Sequence, residues 1–108
     1  MLTIKKTGEH QYLATLENEI EILDRNTLYL VKKRLSSYLK PHREITLDFG
    51  GLKSITNGGY KVLQELLNKA YTKRCKLDFI NVEFPLPNKI LKMSDKTFKL
   101  QKKLASGI

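Results

Sequence analysis

The sequence predicts an α/β domain built on a largely parallel sheet. Apolar residues alternate in short runs at 44–49 and 76–82, which is the period of a strand. In the stretches 25–39 and 59–73 they recur every three or four positions, which is the period of a helix. Strands and helices therefore alternate along the chain, and parallel neighbours need the crossover that a helix supplies. With 108 residues, 41% of them hydrophobic, residues 1–108 suit one domain with a single core.

Each element follows from local pattern. Residues 11–23, QYLATLENEIEIL, are strand-rich: Tyr12, Ala14 and Leu16 alternate, as do Ile20 and Ile22, and Glu17-Asn18 marks a turn. A further strand is expected around Leu2 and Ile4. In the helix 25–39, Leu28, Val31, Leu35 and Leu39 form the inner face with Tyr38 beside them. Asp24 or Asn26 caps its start, and Pro41 lies past its end. Lys32, Lys33 and Arg34 are read as a solvated basic face.

The clearest strand is EITLDF, 44–49, broken by Gly50 and Gly51. The best helix follows, with Leu63, Leu66, Leu67 and Ala70 on one face and Tyr60 and Tyr71 near its ends. In KLDFINV, Leu77 and Phe79 face one way and Ile80 and Val82 the other, which suits a central strand. Pro85 and Pro87 open the next segment. A short helix is expected at Ile90, Leu91 and Met93 and a last strand at 97–101, and 102–108 is read as a helix start or a frayed tail.

SITNGGYKV, 54–62, joins the strand to the best helix. Crevices in open α/β sheets lie beyond the carboxyl ends of strands, so this junction is the first place to look for a site. The helix is expected to begin near Gly58 or Gly59, with Thr56 or Asn57 as its cap. Neither the P-loop spacing nor the dinucleotide fingerprint is present.

Other chemistry is thinly represented. Cys75 has no partner for an internal disulfide and is read as a packed thiol. No Cys/His cluster has metal-ligand spacing, so neither a metal nor a cofactor is expected. His10 and His42 lack a neighbouring Ser or Cys that would make a nucleophile pair. Asp48 is read as bonding the backbone of the junction rather than as a catalyst. Catalytic residues: none are found, and a non-enzymatic protein is expected. No apolar run of about 18 residues is present, so no membrane insertion is expected; with no secretory leader in MLTIKKTGEH, the expected location is cytoplasmic.

The net charge is +9, from 20 basic and 11 acidic residues. It admits nucleic acid, an anionic surface or an acidic protein as partner. Sixteen of the basic residues are lysines, point charges that lack the bidentate fork of arginine, and specific nucleic-acid recognition is not expected.

The stretch EITLDFGGLKSITNGGYKVLQELLNKA, 44–70, resembles the STAS domain, the family of bacterial anti-sigma factor antagonists. There a strand ending near an aspartate or asparagine leads through a loop to Asp-Ser-Ser/Thr-Gly and a helix. LDFINV with NKILKMSDKTFKL resembles the next strand and the apolar segment after it, without the glycine that members often carry there. The upstream NEIEILDRNTLYLVKKRL is similar to the family's strand and first helix, so the resemblance runs over 11–101.

The resemblance implies a four- to five-stranded mixed sheet with helices packed mainly on one face. It also implies a protein-interaction module in transcription regulation. In regulatory members an anti-sigma kinase phosphorylates the residue before the motif glycine, adding roughly two negative charges at a helix N-terminus. Laid over that motif, Thr56 takes the aspartate position, Asn57 the first serine, Gly58 the phosphorylated serine and Gly59 the glycine. Gly58 has no hydroxyl, so the usual switch is expected to be absent, with Thr56 or Ser54 as off-motif alternatives. The implied partner face is Thr56, Asn57, Gly58, Gly59 and Tyr60, with Tyr60 as a possible anchor and the first helix and Gly50-Gly51 at the rim. The implied partner is an anti-sigma kinase or, in a STAS-type accessory subunit, the ABC ATPase of a lipid transporter. A different reading is a basic nucleic-acid or anionic-surface binder using the lysines of 89–103.

Overall fold

Ala14, Leu16, Ile45, Leu47 and Leu77 are all buried, and all stand at inward positions of strands that lie side by side. The computed structural model describes residues 2–84 together with Leu86 and Ile90. Its strands are β1 (Leu2–Gly8), β2 (Gln11–Leu16), β3 (Ile22–Leu23), β4 (Glu44–Asp48), β5 (Ser54–Ile55) and β6 (Lys76–Ile80). Its helices are α1 (Arg25–Leu35), continued by a 3-10 turn at Ser36–Tyr38, and α2 (Asn57–Thr72).

The four-stranded sheet has the order β1-β2-β4-β6. β1 is antiparallel to β2, whereas β2–β4 and β4–β6 are parallel, so the sheet is mixed. Both crossovers step in the same direction, and right-handed crossovers then put α1 and α2 on one face. Facing them are the rows Tyr12–Ile45–Leu77 and Ala14–Leu47–Phe79, read straight off the register. On the other face lie the more polar rows Gln11–Glu44–Lys76 and Thr15–Asp48–Ile80. This is the α/β architecture expected.

The helical periods hold. Leu28, Val31 and Leu35 bury one face of α1, and Val62, Leu63, Leu66, Leu67 and Ala70 bury one face of α2. Asp24 caps α1, its Oδ1 accepting from the Thr27 amide at 2.8 Å; Asn26 lies inside the helix. The α-helix ends at Leu35 rather than 39. Ser36 Oγ donates to the Lys32 carbonyl at 2.7 Å and Ser37 Oγ to that of Arg34 at 3.4 Å, side-chain bonds that go with a tightened last turn.

Several expectations are corrected. The expected alternation of Ile20 with Ile22 does not hold: Ile20 packs partly buried against the core, whereas Ile22 is 60% exposed and Leu23 is fully buried. The reason is pairing: Ile22–Leu23 forms a small parallel ribbon with Ser54–Ile55, setting the alternation one residue later. The basic cluster of α1 is not simply solvated. Lys32 Nζ reaches Glu65 Oε2 on α2 at 3.0 Å, and the Arg34 guanidinium donates to the Leu2 carbonyl. Among the described residues β6 pairs with β4 alone, and Ile80 is exposed. The expected elements at 91–101 and the tail at 102–108 lie outside the described residues; Ile90 is buried.

Candidate functional site

The strand ends and the start of α2 are tied into one corner. Asp48 Oδ1 accepts from the Gly50 amide at 2.8 Å, turning the chain at Gly50, whose φ of 57° is left-handed. The same oxygen accepts from Asn81 Nδ2 at 2.8 Å, so Asp48 joins the ends of β4 and β6. This is the structural role expected of it. Asn81, with φ 58°, is a partner that sequence reasoning missed. From there the chain is held by β3's segment: Lys53 and Ser54 amides donate to the Glu21 carbonyl, and the Thr56 amide to that of Leu23.

Helix α2 begins at Asn57, one residue before the glycines, and its cap is Thr56. Thr56 Oγ1 accepts from the Gly59 amide at 3.1 Å, and the Thr56 carbonyl accepts from the Tyr60 amide at 2.9 Å. A β-branched threonine in extended backbone can present its hydroxyl this way; Asn57 already has its place in the first turn.

The five residues expected at a partner face divide by burial. Thr56 and Asn57 are exposed and Gly58 is half-buried. Gly59 is buried: a β-carbon there would stand 2.6 Å from the Leu23 carbonyl oxygen and 2.7 Å from Ile55 Cγ2. Tyr60 is half-buried and packs against the core. Gly58 lies beside α1, where an added β-carbon would meet Arg25 Cβ at 3.2 Å. Ser54 is exposed, paired in register with Ile22.

The apolar surface near this turn comes from elsewhere. Ile22 lies on β3 beside Ser54, and Tyr29, 56% exposed, follows Arg25 by one helical turn. An aromatic one turn beyond a charged residue on an outer helix face was the only sequence signal for it.

Cys75 is buried, and burial pushes its thiol up to about 11. Among the described residues no group of three or more His, Cys, Asp or Glu side chains can hold a metal, and no helix is long and apolar enough to cross a membrane.

With this geometry in hand, solved structures identify the fold. The structure of the anti-sigma factor antagonist SpoIIAA in its unphosphorylated form aligns with a TM-score of 0.57 at 12% identity, over 82% of this chain and 76% of that one. The fold is the STAS fold. A crystal structure of Mglu aligns with a TM-score of 0.62 at 12% identity over 78% of this chain, which spans 20% of that longer chain. No protein-family model and no curated protein matches the sequence. The fold expected from the resemblance at 44–70 is thus the fold found, and at 12% identity the likeness to an anti-sigma factor antagonist is one of fold.

Proposed function

We infer that the chain, as a single domain over 1–108, is a non-enzymatic interaction module of the STAS type that binds a protein partner. The observation that carries this is the start of α2, with Thr56 and Asn57 exposed and Gly58 half-buried beside them, at the carboxyl end of the sheet in a fold shared with an anti-sigma factor antagonist. Ile22 and Tyr29 supply the adjoining apolar surface, and tyrosine is favoured among residues that dominate binding energy. Gly59 and Tyr60 act from beneath, holding the turn.

The usual phosphorylation position is Gly58, and binding is therefore constitutive rather than switched at that residue. Thr56 and Ser54 are the exposed hydroxyls nearest that position, off the motif, with the Thr56 hydroxyl serving as the helix cap. The partner is an anti-sigma kinase or the ABC ATPase of a lipid transporter, in the cytoplasm.

Affinity purification of the tagged protein from its native cells, followed by mass spectrometry, tests this. A kinase-like anti-sigma factor or an ABC ATPase should co-purify with the wild type and with Gly58→Ala. It should be lost with Gly58→Asp, which puts a fixed negative charge beside Arg25, and weakened by Tyr29→Ala. Retention through Gly58→Asp, with its folding verified by circular dichroism, would move the interface elsewhere.

A further inference from the structure

We propose that the end of the molecule opposite the Thr56–Gly58 turn docks on an anionic lipid surface. β2, β4 and β6 all start at that end, and α1 and α2 both finish there. The turn at Glu9-His10, the loop 39–43 and the loop 73–75 are therefore neighbours. They are stitched together: the Glu44 amide donates to the His10 carbonyl at 2.8 Å, the His42 amide to that of Arg74 at 3.1 Å, and the Lys76 amide to that of Arg43 at 2.9 Å.

The result is charge segregation along the strands. This end carries Lys6, Lys40, Arg43, Lys73, Arg74 and Lys76 against Glu9 and Glu44. Glu44 is already engaged by Gln11 at 3.1 Å and by Lys76 at 3.9 Å. Arg43 lies over the Tyr12 ring, 5.0 Å from its centroid. Lys6, Lys40, Lys73 and Arg74 remain exposed, and no carboxylate among the described residues pairs with them. Among the described residues the opposite end carries Glu17, Glu19, Glu21, Asp24, Asp48 and Glu83 against Arg25, Lys53 and Lys61.

Backbone conformation adds an independent observation. Arg74 follows the C-terminus of α2 with φ 57°, and the Cys75 amide closes back on the Ala70 carbonyl at 2.9 Å. Glycine is the residue that such a helix end favours. An arginine there keeps a cation at the tip of the molecule at a cost in backbone strain, and strained positions cluster where function needs them.

The chemistry of this end selects lipid headgroups. Of the large apolar side chains exposed among the described residues, Tyr71, at 45%, is the one near this end, too little for the apolar centre of a protein interface. A tyrosine followed by Lys73 and Arg74 suits the headgroup layer, where an amphipathic ring and cations sit together. Nucleic-acid binding favours arginine forks or stacking platforms; among the described residues the unpaired cations here are mainly lysines on separate loops, beside one exposed ring.

Flotation with phosphatidylcholine vesicles, with and without phosphatidylserine, tests the proposal on the full chain. The protein should float with phosphatidylserine vesicles at low salt and be released by high salt. Lys40→Glu/Lys73→Glu/Arg74→Glu should lower vesicle affinity by about a hundredfold or more. Arg74→Gly should weaken flotation while leaving the melting temperature equal or higher. Gly58→Asp should float like the wild type, which separates this surface from the partner face. Any of three results would overturn the proposal: no flotation with anionic vesicles, or flotation unchanged in the triple variant but lost in Lys99→Glu/Lys102→Glu/Lys103→Glu. The third is a triple-variant-sensitive affinity for duplex DNA or RNA with none for vesicles.

Discussion

Gly59 lies against the Leu23 carbonyl so closely that a β-carbon would come within 2.6 Å of the oxygen. That oxygen is backbone, and it is already bonded to the Thr56 amide at 3.1 Å, so it cannot retreat without breaking the β3–β5 ribbon. Gly59→Ala should therefore destabilise the protein by about 2 kcal/mol or more, lowering the melting temperature by on the order of 10 °C. Gly58→Ala meets a side-chain carbon at 3.2 Å on a helix edge and gains helix propensity. It should change stability by less than about 1 kcal/mol. Thermal unfolding followed by circular dichroism distinguishes the two glycines.

The caps make a second contrast. Thr56→Ala removes the acceptor for the Gly59 amide and should cost about 1 kcal/mol. Asn57→Ala should cost less than about 0.5 kcal/mol, because its side chain is exposed within the first turn. Equal losses in urea denaturation would assign the cap to the wrong residue.

At α1 the cap is ionised. The Thr27 N–H bonded to Asp24 holds its carboxyl below the ordinary 3.8. A carboxyl depressed in the fold stabilises above its unfolded pKa and loses that contribution as pH falls through the folded value. Asp24→Asn should flatten the wild type's loss of stability below about pH 4, measured by melting temperature against pH.

Cys75 shows the opposite sign. Its thiol is raised to about 11 by burial, so the folded state favours the neutral form. That contribution is complete below the unfolded value of 9.0 and is lost as pH rises from there through 11. At pH 8 a thiol reagent should label Cys75 only after denaturant is added; rapid labelling of the native protein would contradict its burial.

Between the helices, Lys32 and Glu65 meet at 3.0 Å, with side chains 24% and 60% exposed. An ion pair so open to water should couple by only about 0.5 kcal/mol, and less in high salt. A double-mutant cycle with Lys32→Ala and Glu65→Ala measures it.

Much of this fold was legible because its signals are local. The spacing of Leu63, Leu66, Leu67 and Ala70 marked the buried face of α2, and all four are buried. The alternation of Ile45 with Leu47 marked a half-buried strand, and the cap of α1 was narrowed to Asp24 or Asn26, of which Asp24 makes it. From the junction, the strand-to-helix turn and the missing hydroxyl at Gly58 followed from residue type alone.

Tertiary contact decided the rest, since it depends on residues far apart in the chain. Pairing with Ser54–Ile55 turned Leu23 inward and left Ile22 exposed, which the alternation of Ile20 with Ile22 does not anticipate. Packing left Tyr60 half-buried against the core and Tyr29 exposed, a difference in burial that residue type alone does not show. Thr56 was chosen over Asn57 as cap by where β3 anchors the chain, and the glycines were sorted by what stands opposite each. The sequence by itself determined the period of each element, the residue types at the junction and the excess of positive charge. Only the tertiary structure decided where that charge collects, because loops 30 or so residues apart meet only when parallel strands and their helices bring the same ends together.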